Sequence, residues 1–239
     1  MRVGAVVFAR MSSSRLPGKA LLPIGRQPLL GWVLERLARV RSVSQVVVAT
    51  STSPSDDTLA DFSREAGIEV YRGPLDNVVE RAVGCAHQFG LDAFARVCGD
   101  RAFLEPADID GAVRRMMTKG PTPADLVTNT LDGHVPPGLT AEVVRTDALA
   151  EVLAQTSDRL DLEHLTRYFY RHPEQFRIVS SGRVPPVLRD LRFVVDTPED
   201  LDRARWIVER LEDPATAPLT EIAVLAREWN AHRLGPQYA

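Results

Sequence analysis

Between residues 9 and 30 the chain reads ARMSSSRLPGKALLPIGRQPLL. Arg10, Arg15 and Lys19 bracket Ser12, Ser13, Ser14 and Gly18. Small residues let successive backbone N–H groups close on an anion, and turns of this kind form anion-binding concavities. Cations beside them add charge-assisted hydrogen bonds to phosphate oxygens. The segment contains neither GxxxxGK[ST] nor GxGxxG, so it is not a P-loop or a dinucleotide loop. The chain has 27 arginines but only two lysines, Lys19 and Lys119. Against that background a retained lysine points to a need for a compact ammonium charge, which a guanidinium does not reproduce. Asp100, after RVCG, and Asp196, after LRFVV, each close an apolar run. Two such carboxylates can share a hard divalent cation such as Mg2+, whose other ligands are normally phosphate oxygens and water. On pattern alone Asp196, which precedes TPEDL, reads as a helix N-cap.

These groups must be positioned by an alternation of strands and helices. VGAVVFA (3–9) is a continuous apolar run, as expected of a strand buried on both faces. A long loop (10–27) follows, then an amphipathic helix (29–40). The same reading gives strands at 45–50, 68–73 and 92–100, and helices at 53–67, 76–90 and 105–120, the last with Pro106 in its first turn. The second half is less regular, with strands at 124–129, 141–146, 176–181 and 191–196, and helices at 146–157, 162–173, 198–211 and 218–232. Repeated βαβ units predict an α/β, Rossmann-like three-layer sandwich with a mostly parallel sheet. Ligands in such sheets bind beyond the carboxyl ends of the strands, so the 10–27 loop and the 99–104 turn are expected to share one cleft. With no repeat and no linker, residues 1–239 read as a single domain, with a small protruding arm at about 130–180.

Composition bounds the partners. At 239 residues, 44% hydrophobic and 26% charged, the chain is ordinary for a globular protein and unlike a disordered, collagenous or disulfide-scaffold sequence. No apolar run approaches the ~20 residues of a membrane-spanning helix, and the apolar N-terminal stretch is too short for a signal peptide. Cys85 and Cys98 form no disulfide framework and, with five histidines, show no zinc spacing. A cytoplasmic protein is expected. The net charge of −3 conceals an asymmetry: residues 1–41 hold eight Lys/Arg against one acid, Glu35. The whole is not basic enough for nucleic acid, whereas a basic patch at one end suits a small, highly charged anion.

Segments spread along the chain also carry a resemblance. ARMSSSRLPGK and its continuation LLPIGRQPLLGWVLERL, then ATSTSPSDDTL (49–59), YRGPLDNVVERA (71–82), RVCGDRAFLEPADID (96–110), VPPGLTAEV (135–143), LEHLTRYFYRHPEQFRI (162–178) and LRFVVDTPEDLDRAR (191–205) resemble, in order, segments of the cytidylyltransferases that activate sugar acids. These are the CMP-Kdo and CMP-sialate synthetases and their relatives in spore-coat polysaccharide biosynthesis. The resemblance implies a GT-A-like nucleotidyltransferase fold. It also implies Mg2+-dependent transfer of CMP from CTP to a small acidic acceptor with release of pyrophosphate, by a homodimer built through the arm.

The implied catalytic residues are Lys19, Arg15, Arg10 and Asp100, with Asp100 and Asp196 as metal ligands. Ala9, Arg10, Ser12, Ser13, Arg15, Lys19, Asp76, Asn77, Arg81 and Gly99 are implied around the nucleotide. Glu142 and His164 are implied at the acceptor, and the charge of Arg101, beside Asp100 in the chain, suits pairing with an acidic acceptor group. Read without the resemblance, Asp76, Asn77 and Arg81 also fit a helix cap and a salt-bridging face, and His164 a structural histidine. The sequence departs from the family pattern at Ser12, where glycine is usual, at Arg101-Ala102, where Cys-Pro is usual, and at Thr140, where aspartate is usual. The last two changes leave a phosphonate or a sugar phosphate open as acceptor beside a sugar acid. Two other functions stay open at this point: sugar-1-phosphate nucleotidyl transfer from UTP or GTP, and a non-catalytic nucleotide-binding or assembly subunit.

Overall fold

The computed structural model describes residues 1–118, 120 and 122–234; Lys119 lies outside the described residues. The alternation read from the sequence becomes β1 (Val3–Phe8), β4 (Val46–Ser51), β5 (Glu69–Gly73), β6 (Ala93–Cys98), β7 (Leu126–Thr128), β8 (Glu142–Arg145) and β9 (Ile178–Ser180). They form one seven-stranded sheet in the order β5-β4-β1-β6-β8-β7-β9. β1 pairs in parallel with both β4 and β6, while β8 runs antiparallel to β6 and β7. The strand order reverses at β1, which leaves a crevice outside the carboxyl ends of β1 and β6. Within the long loop, β2 (Pro23–Ile24) and β3 (Gln27–Pro28) form a small hairpin. Trp32 Nε1 donates to the Ile24 carbonyl at 2.8 Å and ties that hairpin to the following helix.

Helices cover both faces of the sheet. Val3, Ala5 and Val7 of β1 point to one side, against Leu30, Val33 and Leu37 of α1 (Leu29–Leu37) and Ile109 and Val113 of α4 (Pro106–Met117). α2 (Asp57–Glu65) adds Leu59 to that side. Val6 points to the other, against Val79 and Ala82 of α3 (Val78–Gln88) and Leu149 of α5 (Thr146–Gln155). A third apolar cluster joins Trp32, Phe193 and Val195 to Ile207 of α8 (Pro198–Val208) and Ile222 of α9 (Leu219–Leu234). Residues 130–180, the stretch read as an arm, supply β8 and β9 to the sheet together with α5, α6 (Arg159–Glu163) and α7 (Arg167–Arg171).

Two expected elements differ. Residues 162–173 do not make one helix: the chain leaves helical geometry at His164 (φ −102°, ψ 87°) and re-enters it at Arg167. The break turns Leu165 inward and lets the Thr166 hydroxyl reach the buried Glu142. Residues 191–196 are extended but lie outside the sheet. The Phe193 and Val195 N–H groups donate to the carbonyls of Pro137 (2.7 Å) and Asp100 (2.9 Å). Leu191, Phe193 and Val195 are buried, so the alternation seen in the sequence is real, but loops supply the hydrogen-bond partners.

Candidate active site

The loop after β1 is pinned from below. Asp56, fully buried, accepts from the Met11 N–H at 2.7 Å, from the Thr50 hydroxyl at 3.0 Å and from the Ser51 N–H at 3.1 Å. Burial presses its carboxyl upward, but the donors at Met11, Ser51 and Thr50 outweigh this and hold it below its ordinary value. Met11 in turn accepts from the N–H groups of Ser13 and Gly18, both at 2.9 Å, which folds the loop back on itself. A 3-10 turn then begins at Lys19. Across the crevice, the Gly99 N–H donates to the Phe8 carbonyl at 2.9 Å. A side chain at 99 would put its Cβ 2.7 Å from that of Ala9, so the turn after β6 approaches the loop this closely only as glycine.

Lys19 Nζ donates to Asp100 at 2.7 Å and to Asp196 at 3.1 Å. The Val195 N–H bonded to the Asp100 carbonyl is what delivers Asp196 to Asp100. Asp196 does not cap the helix behind it. Thr197 does, in a reciprocal capping box with Asp200, which leaves the Asp196 carboxylate free to face the cleft. Arg15 also pairs with Asp196, and Arg192 stands 3.8 Å from it. Arg10 reaches over the cleft to Glu163 at 3.2 Å.

Arg10, Arg15, Lys19, Asp100, Glu163 and Asp196 line a cavity of about 300 Å³, together with Phe8, Ala9, Ser13, Val78, Arg81, Gly99 and His164. Ser12, Asp76, Asn77, Arg101 and Glu142 do not line it. Ser12 and Asp76 are exposed, and Asn77 is the N-cap of α3, accepting from the Glu80 N–H. Arg101 is buried and gives its guanidinium to the Thr140 carbonyl, away from the cleft. Glu142 is buried behind Arg96, with which it pairs at 3.0 Å.

The residue that sequence reasoning missed is Arg96. Counting back from Asp100 in twos gives Cys98 and Arg96, and both line the cavity, whereas Arg101 falls on the opposite parity. Arg81 is nearly fully buried and donates to the carbonyls of Pro74 (2.6 Å) and Leu75 (3.2 Å). Its Nε is the one buried side-chain polar atom without a hydrogen-bond partner among the described residues. Burial, with the charge of Arg10 beside it, lowers its pKa to about 10, which leaves it cationic at neutral pH.

The donor set suits a hard cation. One ammonium touching both Asp100 and Asp196 shows that their oxygens converge on a single positive charge. No group of three or more His, Cys, Asp or Glu able to hold a metal occurs among the described residues. Two carboxylates supply part of an octahedral oxygen shell and leave the rest to phosphate and water, as Mg2+ prefers. The arrangement is thus a cationic loop facing a carboxylate pair across a nucleotide-sized cleft.

Comparison with known proteins agrees with this geometry. A family model described as cytidylyltransferase matches residues 5–225. The chain is 26% identical over 227 residues to the spore coat polysaccharide biosynthesis protein SpsF of Bacillus subtilis, with 92% of each chain covered. It is 30% identical over 240 residues to the 3-deoxy-manno-octulosonate cytidylyltransferase of Anaeromyxobacter sp. strain K, covering 86% of this chain and 97% of that one. The structure of a cytidylyltransferase from Leptospira borgpetersenii superposes over the full length of both chains with a TM-score of 0.89 at 24% identity, a likeness of fold. With the ordered segments, the sheet and the cleft all in agreement, the chain belongs to the cytidylyltransferase family and is a nucleotidyltransferase.

Proposed function

We propose that the protein transfers CMP from CTP to a small acidic acceptor, a sugar acid or else a phosphonate or phosphate, and releases pyrophosphate. The observation that carries this reading is the Lys19 ammonium held between Asp100 and Asp196 at the foot of a loop that also presents Arg10 and Arg15. An oxygen of the acceptor attacks the α-phosphorus, losing its proton to solvent where it is a hydroxyl, the bond to the β-phosphate oxygen breaks, and that oxygen leaves with the electron pair as pyrophosphate. Such transfers depend chiefly on positioning and charge neutralisation. A nucleoside triphosphate brings about four negative charges, and Arg10, Arg15 and Lys19 lie where they offset them as charge gathers on the departing pyrophosphate. Ala9, Ser13 and Gly99 let the backbone come close to the phosphates, and Arg81 with Val78 bounds the nucleoside end. Mg2+, when bound, would neutralise phosphate charge, held by Asp100 and Asp196. Lys19 and Arg15 must then turn from the carboxylates to the phosphates, so the ammonium occupying the acidic pair in the free protein becomes a ligand of the nucleotide.

The remaining features of the reading follow from the same assignment. Residues 1–239 act as one catalytic unit, soluble in the cytoplasm, in polysaccharide biosynthesis. Two copies meet through the 130–180 stretch, where Leu131, Leu160 and Tyr170 are exposed. No helix among the described residues is long and apolar enough to cross a membrane.

Pyrophosphate release measured with CTP, UTP, GTP and ATP tests the proposal. Each nucleotide is paired in turn with 3-deoxy-manno-octulosonate, N-acetylneuraminate, pseudaminate, a phosphonate and a sugar phosphate. Release with CTP and one of the acids is the expected result. Binding of CTP with no release in any pairing would sink it.

A further inference from the structure

We propose that Arg96 anchors the anionic group of the acceptor, the task that sequence pattern assigns to Arg101. This rests on the nucleotidyl-transfer reading above and names the residue that recognises its second substrate. The other cations at the cleft are already engaged: Arg10 with Glu163, Arg15 and Lys19 with the aspartates, and Arg81 with two backbone carbonyls. Arg96 has one protein acceptor, Glu142, and its remaining N–H groups have none among the described residues. Unlike Arg81 Nε, they are not buried. A guanidinium so held offers a planar fork matched to a carboxylate or a phosphonate.

Its support is built into the sheet. Arg96 and Glu142 are direct cross-strand partners of β6 and β8, and Glu142 is paired in turn with Thr128 of β7. The buried Glu142 carboxylate accepts from the Thr166 hydroxyl at 3.2 Å and the Tyr170 hydroxyl at 2.7 Å. The Tyr170 hydroxyl also meets those of Thr128 and Thr130, each at 3.0 Å. The buried Glu142 carboxylate at the centre of this network would be costly unless satisfied, and of the network's members only Arg96 lines the cavity.

Position agrees with the task. In-line attack puts the acceptor opposite the leaving pyrophosphate, and so on the side of Asp100 away from the cationic loop. Cys98 and Arg96 share one face of β6 and line the same cavity as Asp100. Gly99 and Asp100 form the turn that follows β6.

The test titrates the full-length protein, saturated with Mg2+ and a non-hydrolysable CTP analogue, by calorimetry. One arm uses carboxylates (3-deoxy-manno-octulosonate and N-acetylneuraminate) and the other uses 2-aminoethylphosphonate and a sugar phosphate, so the source of the anion is identified by the arm that binds. In Arg96→Met the acid that binds wild type should lose affinity by ~30-fold or more, with the affinity for the CTP analogue unchanged and partial recovery in Arg96→Lys. Arg96→Met leaves Glu142 buried without its cation, so Arg96→Met/Glu142→Gln, checked by thermal melting, serves where the single variant does not fold. Undiminished acid binding in a folded variant overturns the assignment, as does a parallel loss of acid and nucleotide affinity. A wild-type protein that binds the nucleotide but no acid also overturns it while leaving nucleotide recognition intact. One that binds neither overturns the reading beneath it as well.

Discussion

Lys19 binds two carboxylates at once, and the consequence of removing it separates its roles. In Lys19→Met the compact charge that meets the phosphates is gone, and pyrophosphate formation should fall by ~10²–10³-fold, the usual cost of deleting one preorganised charge donor. Lys19→Arg should not restore it, because a planar guanidinium cannot sit between Asp100 and Asp196 as an ammonium does. The same substitution frees the two carboxylates of their internal cation. Nucleotide-free Lys19→Met should therefore bind Mn2+ more tightly than wild type, as followed by the loss of the free-ion paramagnetic resonance signal. Equal or weaker Mn2+ binding would show that the two aspartates do not form the cation site. At this scale the sequence was informative about the loop cations, since their spacing alone marks an anion site. It misled at Arg101, which stands beside Asp100 in the chain but turns to the Thr140 carbonyl. Adjacency in a strand-to-turn segment sends neighbouring side chains to opposite faces, and only the parity of Asp100, Cys98 and Arg96 predicts which of them meet.

At the scale of elements, two loops are held in register by features outside the cleft. Asp56 pins the cationic loop, and in Asp56→Asn an amide N–H2 replaces an oxygen that accepts from several donors. Loss of those bonds should cost about 2–3 kcal/mol in denaturant unfolding at pH 7. The pH dependence has a definite sign. The folded carboxyl lies below its ordinary value, so its contribution is complete above the unfolded pKa of about 3.9 and is lost as pH falls through the folded one. Wild type should accordingly lose more stability between pH 7 and pH 3 than Asp56→Asn does. The second feature is Gly138, at φ +102°, where a Cβ would come within 2.5 Å of the Phe193 backbone. Gly138→Ala should destabilise by about 2 kcal/mol or more and displace the 191–196 segment that carries Asp196. Turnover should therefore fall even in the fraction that stays folded, measured as kcat per active site. The alternating run 191–196 was visible in the sequence, whereas 162–173 read as one helix and its break at His164 was not. What was not visible for 191–196 is its partners, because a period of two reports one buried side and not whether a strand or a loop lies alongside.

Over the whole molecule, six of the eight basic residues of 1–41 fall into two uses that composition cannot tell apart. Arg10, Arg15 and Lys19 line the cleft, while Arg26 pairs with Glu35 and Arg39 donates to the Ala215 carbonyl. Arg36 is almost fully buried, with Nε donating to Leu104 at 2.8 Å and Nη1 to the carbonyls of Pro214 (3.0 Å) and Ala217 (3.1 Å). It ties α1, on one face of the sheet, to the segment that leads into α9. Its charge is therefore spent on carbonyls of the fold, and the basic patch inferred from the first 41 residues is in three dimensions a loop of three cations. That division gives a test in which stability and chemistry part. Arg36→Met keeps much of the side-chain volume but leaves buried carbonyls without donors, at a cost of about 3 kcal/mol. For a chain of this length each kcal/mol shifts the melting point by about 2–4 °C, so a fall of roughly 6–12 °C is expected in calorimetry. Well below that transition the variant should retain wild-type turnover, because the group removed lies in none of the cleft walls. A parallel collapse of turnover at low temperature would mean that the C-terminal segment is mechanically part of the active site rather than its support.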